Sequence, residues 1–250
     1  MLNKCLGRKP AVFHPATPRL AVLAPSTLYY NPQPQIMRAS EIPSWLMGQN
    51  DTIGDCTSVA IANILLARNT WAAHTAYPTT ADIVSFYERF GYKPGNPLTD
   101  QGATLLECMQ SWMKDGYPVR GQTNKLLGFA AVDFHNLNLL KTAIEIFGDV
   151  YLGVNLTVAQ QTQTVWNYVP NDQEWGGHSV SLNSFAEDGS FRVVTWAEWM
   201  KVTPAFMQNQ VQEAYVLLDA ASIRKAKTTF NDWDMAALAQ SIKSLGGELA

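Results

Sequence analysis

The chain has 250 residues, of which 47% are hydrophobic and 16% are charged. This composition supplies enough apolar surface for a hydrophobic core and excludes a globally disordered protein. The chain has 18 lysine and arginine residues and 21 aspartate and glutamate residues, so its net charge is −3. The surface therefore lacks the positive potential with which proteins bind nucleic acid or attach to a membrane through a polybasic segment. We therefore expect no nucleic-acid partner and no membrane partner.

The cellular location is predicted from features that the sequence lacks. No apolar run approaches the roughly 18–20 residues of a membrane span, and charges and prolines interrupt the start of the chain, unlike a secretory signal. The cysteines are three and widely scattered, which argues against a disulfide scaffold. We expect a cytoplasmic protein.

The first predicted segment is a proline-rich arm over residues 1–43. It holds more than half of the 13 prolines, and proline removes a backbone donor and restricts the residue before it, so we expect extended, irregular structure. Apolar residues within the arm predict that it packs on the body of the protein; they are Val12, Phe13, Leu20, Val22, Leu23 and Leu28.

Helices dominate the part of the chain that comes after the arm. Residues 56–68 are apolar nearly all round, which is typical of a helix buried in a core, and Asp55 is the predicted N-cap. The other predicted helices are one that opens at Thr80 or Asp82, one from Thr104 to Lys114 that Gly116 ends, and one over residues 137–147.

Short β-rich runs occupy the second half, and the segment FAEDGSFRVV has the pattern of a hairpin turn. Helices first and strands later predict an α+β architecture for residues 44–220, with a helical lobe over about 44–130 and a β lobe over about 131–220. Residues 221–250 are predicted to form a C-terminal amphipathic helix that packs on this domain. The predicted strands cover residues 150–156, 179–185, 191–196 and 214–218.

The first candidate for chemistry is Cys56, which lies in the first turn of the apolar helix. Unpaired N–H groups and the helix dipole favour the thiolate at such a position, and the thiolate is the nucleophilic form. Asp55 beside it opposes this effect unless its carboxylate turns to cap the helix. The alternative is that Cys56 only fills the core, because free cysteines are among the most buried residues.

The second candidate is His178, which comes after two glycines at the start of a predicted strand. A strand would aim the ring, and Gly176 and Gly177 would leave space beside it. A purely structural histidine is the alternative. The other histidines lie in the arm or in polar surroundings; they are His14, His74 and His135.

Metal and nucleotide chemistry receive little support. The sequence contains no C-x-x-C or H-x-x-H motif, and the stretch GYKPGNP lacks the Lys-Ser/Thr of a phosphate-binding loop. We therefore expect no metal and no other cofactor.

The order of these residues resembles that of the papain-like cysteine peptidases. In that family an amide side chain lies six residues before the nucleophile, where this chain has Asn50, with Gln49 adjacent. His178 matches the histidine that begins a strand in the family. The resemblance spans about residues 45–218 and is greatest to papain-like proteins of bacteria and phages. Further matching segments are Gly54-Asp55-Cys56, Thr99-Asp100-Gln101-Gly102, Gly176-Gly177 and Val194-Thr195-Trp196-Ala197.

The resemblance implies a papain-like α+β fold with a cleft between the two lobes, and a cysteine peptidase or amide hydrolase that acts on a peptide or protein substrate. Cys56 would be the nucleophile, His178 its base and Asn50 an oxyanion donor. Trp196 would shield the histidine partner from water or would simply pack in the core. The residues that the resemblance implies at the substrate cleft are Gln49, Gln101, Gly102, Gly176, Gly177 and Trp196.

The sequence departs from the family at the third catalytic residue. The family has an asparagine just before Ser-Trp, whereas this chain has Val194, which cannot accept a hydrogen bond. Either the neighbouring Thr195 orients His178, or a backbone carbonyl or a residue outside the motif does so, or the site is impaired. Two other functions therefore stay open beside the peptidase: an acyl transferase of the transglutaminase kind, and a catalytically impaired binding or virion-associated module.

The family resemblance also gives the arm two alternative roles. Residues 1–40 could lie in the groove as a silencing propeptide, or they could form a strap that stabilises the body. Of these two, the strap is preferred on sequence grounds.

Overall fold

The computed structural model describes residues 4–248, which form eight α-helices and ten β-strands. The helices are α1 (Leu20–Leu23), α2 (Cys56–Trp71), α3 (Thr80–Glu88), α4 (Leu105–Asp115), α5 (Leu137–Phe147), α6 (Pro204–Gln210), α7 (Ala220–Thr229) and α8 (Met235–Ser244). The strands are β1 (Ile36–Met37), β2 (Tyr117–Val119), β3 (Gln122–Asn124), β4 (Gly128–Ala131), β5 (Val150–Thr157), β6 (Val165–Trp166), β7 (Glu174–Phe185), β8 (Phe191–Thr195), β9 (Glu198–Val202) and β10 (Val211–Leu218).

The strands of the second half of the chain form one large sheet. Its strand order is β4-β10-β5-β7-β8-β9-β6, and β1 also pairs with β7. The pairs are antiparallel except for β6 with β9. β5 and β7 form the long central pair, from Val150 opposite Leu182 to Thr157 opposite Glu174. This pair places the predicted histidine at the middle of the sheet.

The sheet separates two hydrophobic layers. Alternate residues of a strand point to opposite faces, so Val150 and Leu152 of β5 pack with α5, whereas Tyr151 packs with the layer that contains α2 and α4. The Tyr151 hydroxyl donates to the backbone carbonyl of Thr57 at 3.0 Å. Because this bond joins β5 to the first turn of α2, the nucleophile candidate is anchored to the sheet.

The predicted α+β architecture is confirmed. The helices α2, α4 and α5 begin and end within three residues of the predicted positions, and α3 begins at Thr80, one of its two predicted starts. Two capping boxes explain the sharp starts: Thr79 with Asp82 opens α3, and Thr104 with Glu107 opens α4. Gly116 ends α4 at a φ of 77°, a conformation that favours glycine.

Two predicted elements differ from the structure. β7 begins at Glu174 rather than Ser179, so His178 lies inside the strand and not at its start, because the two glycines before it still pair with β5. The C-terminal region forms two helices, α7 and α8, where a single closing helix was predicted. Asp234 caps α8 by accepting from the Ala237 N–H, which makes a separate helix start.

The arm is only partly irregular. Leu20 and Leu23 of α1 are buried as predicted, whereas Val12, Phe13, Val22 and Leu28 are exposed. Within residues 4–248, none of the helices has the length and apolar character needed to cross a membrane.

Candidate active site

Cys56 is the first residue of α2, and its side chain is buried beneath β7. Burial raises the pKa of the Cys56 thiol to about 12, although the backbone N–H groups of Ser179 and Gly7 face the sulfur and oppose the rise. The predicted preference for thiolate at the helix N-terminus is therefore wrong for this arrangement. Desolvation disfavours the charged form more strongly than the nearby N–H groups stabilise it.

Asp55 occupies the predicted N-cap position, but its side chain makes no capping hydrogen bond to α2. Its Oδ2 atom instead accepts from the backbone N–H of Gln49 at 3.0 Å, which fixes the loop before the helix. Burial raises the pKa of Asp55 from 3.8 to about 7. Asp55 is therefore the N-cap residue as predicted, but its carboxyl is turned toward the preceding loop and does not cap the helix, which was the alternative left open by the sequence.

His178 is fully buried on β7. The next residue of this strand is Ser179, whose backbone N–H faces the Cys56 sulfur. Its Nε2 atom lies 2.6 Å from the Thr195 hydroxyl oxygen, and its Nδ1 atom has no hydrogen-bond partner among the described residues. The Trp196 ring stacks on the imidazole, with the centroids 4.3 Å apart and the planes 14° apart. The hydrogen bond and the stack together fix the plane of the ring and leave Nδ1 as the free nitrogen.

Val194 and Thr195 face opposite sides of β8. The Val194 side chain packs in a cluster with Ala39 and Ile42, away from the histidine, whereas the Thr195 hydroxyl contacts His178. Because side chains alternate along a strand, only one of the two neighbours can face the imidazole. Among the alternatives left open by the sequence, the contact with Thr195 is the one present in the structure.

The arm runs through the cleft between the two lobes. The backbone N–H of Ala103 donates to the carbonyl of Gly7 at 2.9 Å, and Lys9 N–H donates back to Ala103 at 2.9 Å. On the other wall, Arg8 N–H donates to the carbonyl of Gly177 at 3.1 Å. Residues 5–9, the cleft segment, are thus held by main-chain hydrogen bonds to both walls.

Glycines allow this close approach of three backbones. A Cβ atom on Gly7 would lie 1.7 Å from the carbonyl oxygen of Gly54, and one on Gly102 would lie 2.0 Å from the carbonyl oxygen of Gly7. Gly102 also has a φ of 69°, which other residues rarely adopt. At Gly7 the cleft segment therefore lies so close to the wall that a side chain on Gly7 or on Gly102 would collide with the opposite backbone.

Asn50, the predicted oxyanion donor, also binds the cleft segment. Its side-chain Nδ2 donates to the carbonyl of Cys5 at 3.1 Å and to that of Ile53 at 3.2 Å. The backbone N–H of Cys5 donates to the Asn50 carbonyl at 2.9 Å. The amide of Asn50 thus already holds a peptide carbonyl within the cleft.

Two positively charged side chains of the arm lie close enough to His178 to affect its pKa. Burial lowers the pKa of His178 to about 3, and the charges of Arg8 and Lys4 lower it further. The Lys4 Nζ atom lies 4.8 Å from the ring centroid of Trp196, on which the histidine stacks. With the arm in place, the site therefore contains a neutral thiol and a neutral imidazole.

The remaining predicted cleft residues are not equivalent. Gly176 contacts the cleft segment, because a Cβ atom there would lie 3.0 Å from the Leu6 side chain. The Gln101 side chain instead donates to the carbonyl of its own loop at Leu98, at 2.9 Å. For Gln49, the structure gives a backbone hydrogen bond to Asp55 and none from its side chain among the described residues.

Sequence reasoning missed the residues that brace the cleft. The Asp100 carboxylate accepts from the Gly54 N–H at 2.9 Å and is hydrogen-bonded to the Tyr87 hydroxyl, which in turn accepts from the Gly102 N–H at 2.8 Å. Asp100 lies inside the segment that matched the family, so its position was a usable signal. Nothing in the local sequence of Tyr87 distinguishes it from an ordinary core aromatic residue.

The described residues contain no group of three His, Cys, Asp or Glu side chains arranged to hold a metal ion. Two cavities of about 410 Å³ lie away from Cys56, one beside Arg38 and Lys225 and the other beside Ile42. The cleft over Cys56 is instead filled by the arm.

Solved structures with a similar fold are cysteine proteases. Xylellain from Xylella fastidiosa aligns with a TM-score of 0.68 at 14% identity, over 87% of this chain and 97% of that chain. ProCathepsin B S9 from Trypanosoma congolense gives 0.61 at 10% identity, over 86% and 87%. Digestive procathepsin L 3 of Tenebrio molitor gives 0.57 at 11% identity, over 87% and 77%. No family model and no curated protein matches the sequence. The predicted papain-like fold is confirmed.

Proposed function

We propose that the chain is a papain-like cysteine peptidase, acting on a peptide or protein substrate, which the cleft segment holds in a closed state. The observation that carries this proposal is the contact between Asn50 and the Cys5 carbonyl of the cleft segment, whose Gly7 N–H faces the sulfur of the buried Cys56. An amide donor, a thiol and an oriented imidazole then line the same cleft as an extended peptide. Two of the similar structures are of proenzymes by name, which agrees with a closed state.

The proposed reaction begins when the arm leaves. Exposure to water and loss of the Arg8 and Lys4 charges raise the pKa of His178 and lower that of Cys56, so the thiol proton moves from the sulfur to Nδ1. The thiolate attacks the substrate carbonyl carbon. The oxyanion accepts from the Asn50 Nδ2 and the Cys56 N–H, and one such donor typically lowers the barrier by about 2.7–4 kcal/mol.

The second half of the reaction uses the same groups. The imidazolium at His178 protonates the leaving amine, so the carbon–nitrogen bond breaks and a thioester to Cys56 remains. Water, deprotonated by the imidazole, then hydrolyses the thioester and restores the thiol. The Thr195 hydroxyl accepts a hydrogen bond from the Nε2–H of His178 and keeps Nδ1 aimed at the reacting atoms. Transfer of the acyl group to an amine in place of water, the acyl-transferase alternative, stays a prediction that amine incorporation would test.

A second candidate function is a binding module that does not turn over. The filled cleft and the neutral thiol and imidazole favour it, because both describe a site that cannot react as it stands. Displacement of the arm distinguishes the two candidates: a peptidase gains activity when the arm leaves, whereas a binding module does not. Virion association and a cytoplasmic location stay predictions.

The experiment displaces the arm within the full chain. Gly7→Ala places a methyl group against the Gly54 carbonyl oxygen, so the cleft segment cannot occupy its position. We expect the variant to hydrolyse members of a broad fluorogenic peptide panel at pH 7. Iodoacetamide should label Cys56 at least about 10-fold faster than in the unaltered chain, because the thiolate fraction rises tenfold for each unit of pKa lost.

Matched controls separate chemistry from unfolding. Val12→Ala alters an exposed position of the same arm and should leave both readouts unchanged. Cys108 is fully buried with a pKa of about 12, so its labelling reports general unfolding. Adding Cys56→Ala to Gly7→Ala should abolish hydrolysis, whereas adding Cys108→Ala should not. A folded Gly7→Ala variant that cleaves no peptide and labels Cys56 no faster than Cys108 would overturn the peptidase proposal.

A further inference from the structure

A cavity of about 410 Å³ lies at the end of α2 that is far from Cys56. Its walls come from the last turns of α2 and α5, from the first turns of α7 and from Arg38 of the arm. Because α2 runs from Cys56 to Trp71 at about 1.5 Å per residue, its two ends are about 22 Å apart. The cavity is therefore distinct from the cleft that the arm fills, and the proposed reaction uses none of its residues.

Cations outnumber acids in the wall of this cavity. Within residues 4–248, the charged side chains that line it are Arg38, Arg68, Lys225 and Asp219. Arg68 is already neutralised, because its Nη1 atom lies 2.9 Å from Asp219 Oδ2 and its Nε atom lies 2.8 Å from Asp149 Oδ2. For Arg38 and Lys225, no carboxylate of the described residues lies within ion-pair distance. Two cations without an ion-pair partner therefore border the same space.

These two cations are held close together at the C-terminus of α5. The Arg38 Nη1 atom donates to the Ile144 carbonyl at 2.7 Å, and the Lys225 Nζ atom donates to the Glu145 carbonyl at 2.6 Å. A guanidinium carries five N–H donors and an ammonium carries three, and the described residues accept only these two hydrogen bonds from the pair. Most of the donors therefore stay available to a ligand.

The two cations also repel each other. Burial lowers the pKa of Arg38 and that of Lys225, and the charge of Arg38 lowers the pKa of Lys225 further, although Glu145 opposes both shifts. The Glu145 carboxylate lies outside the cavity wall and accepts hydrogen bonds from the Tyr30 hydroxyl at 3.0 Å and the Gln33 N–H at 2.8 Å. This acid is therefore engaged with the arm and does not form an ion pair with either cation.

The indole of Trp71 and a glycine position the guanidinium of Arg38. The Arg38 Cζ atom lies 5.2 Å from the centroid of the Trp71 ring. Gly148 ends α5 at a φ of 93°, and a Cβ atom on it would lie 3.3 Å from the Trp71 ring and 3.7 Å from the Arg38 Nη1 atom. The absence of a side chain at Gly148 thus leaves room for the guanidinium to lie over the indole, beside the cavity.

We propose that this cavity binds a phosphate-type oxyanion with two negative charges between Arg38 and Lys225. A planar guanidinium matches two oxygen atoms of such an anion, and an ammonium adds a point charge. A doubly charged anion compensates both cations, whereas a single carboxylate compensates only one of them. The cavity volume lies within the range of about 300–1,000 Å³ that is typical of sites for small molecules, so the anion can be free or can be the phosphoryl group of a small molecule.

The test measures binding to the full chain by isothermal titration calorimetry at pH 8, with sodium chloride added to keep the ionic strength constant. The probes are inorganic phosphate, phenyl phosphate and, as a singly charged control, acetate. We expect a dissociation constant of about 1 mM or lower for inorganic phosphate and at least about 10-fold weaker binding of acetate. Tighter binding of phenyl phosphate than of inorganic phosphate would identify the phosphoryl group of a small molecule as the ligand, and equal binding would identify the free anion; both results support the proposal.

Variants locate the binding within the cavity. Arg38→Gln and Lys225→Gln should each weaken phosphate binding at least about 10-fold, because each removes a charge-assisted hydrogen bond. Lys225 is exposed, so its substitution tests the site even if Arg38→Gln does not fold. Arg224→Gln removes an exposed cation of the same helix that is not part of the wall, and it should leave the affinity unchanged.

Two results would overturn the proposal. The first is the absence of phosphate binding to the folded, unaltered chain, which would show that Arg38 and Lys225 only cap the C-terminus of α5. The second is an equal loss of affinity in Lys225→Gln and Arg224→Gln, which would show that phosphate responds only to the overall charge. Neither measurement requires peptidase activity, so the outcome does not depend on the proposed function.

Discussion

Two arginines in this molecule form buried ion pairs but differ in the number of hydrogen bonds that their guanidinium groups make. Arg68 on α2 donates through Nε and Nη2 to Asp149 at 2.8 and 2.9 Å, and through Nη1 to Asp219 at 2.9 Å. Its Nη2 also donates to the Leu217 carbonyl at 2.9 Å. Arg8 makes one ion pair and one further side-chain bond, and its Nε lacks a partner in the described chain.

The two arginines differ in how completely the surrounding residues satisfy the guanidinium group. Arg68 joins a helix, a strand end and the start of α7, all within the body, and its three guanidinium nitrogens are hydrogen-bonded. Arg8 reaches its partner from the cleft segment, which main-chain bonds and the Asn50 side chain also hold against the cleft walls. Fully satisfied buried polar groups rigidify a core, whereas a buried polar atom without a partner is costly.

The largest expected effect comes from breaking the complete pair. Arg68→Met leaves Asp149 buried without its cation, so we expect the free energy of unfolding to fall by about 3–5 kcal/mol, measured by urea denaturation. Arg224→Met removes an exposed cation from α7 and is the control, with an expected change within about 0.5 kcal/mol. Equal losses for the two variants would contradict the structural role of Arg68.

Asp55 is a third case to compare with the carboxylates that Arg68 and Arg8 bind, because it is a buried carboxyl with no cation bonded to it among the described residues. Its folded pKa of about 7 lies above the unfolded value near 3.8. The folded state therefore binds more protons between these values, and stability falls as the pH rises from about 4 to about 7. The fall is at most about 4 kcal/mol, since each pKa unit corresponds to about 1.4 kcal/mol.

Unfolding measured across this pH range checks that prediction. Asp55→Asn keeps the oxygen that accepts from Gln49 but does not titrate, so its stability should depend less on pH. Asp133→Asn, an exposed position, is the control. A slope that persists unchanged in Asp55→Asn would assign the titration to another group.

Breaking the incomplete pair should cost less than breaking the complete one. For Arg8→Met we expect a loss of about 1–3 kcal/mol, because burial favours the protonated form of its ion-pair partner Glu213 and a cavity of about 220 Å³ beside Arg8 gives room for water. In contrast to Arg68→Met, this variant should also increase iodoacetamide labelling of Cys56. A large stability loss with no gain in labelling would show that the arm acts as a strap.

The smallest effect is expected at Thr195. In the Gly7→Ala background, Thr195→Val removes the hydrogen bond to His178, and we expect kcat/KM to fall roughly 10-fold. Because this bond also stabilises the imidazolium, the limb of the pH profile that reports His178 should move to lower pH. Thr195→Ser keeps the hydroxyl and should restore both values. A drop in rate without a shift of the pH profile would indicate a packing role only.

Much of the fold was predictable because its signals are local. The apolar residues of α2, the capping boxes of α3 and α4 and the glycine after α4 all act within a few residues. The roles of Cys56, His178 and Asn50 were also predicted from the sequence, because their order along the chain can be read without any knowledge of distances, and these roles stay predictions. The same local reading placed a strand boundary wrongly at the two glycines before His178, because pairing with β5 extends the strand there.

The amino-acid sequence by itself determined which chemical groups the site contains and the order in which the chain presents them. Tertiary structure alone decided that Thr195 rather than Val194 faces the histidine, that Arg8 meets Glu213, and that burial raises the pKa of the Cys56 thiol and lowers that of the His178 imidazole. These outcomes depend on burial and on contacts between residues far apart in the chain. The desolvation of a titratable group depends on all the atoms that surround it in the folded protein, and no local sequence pattern specifies those atoms.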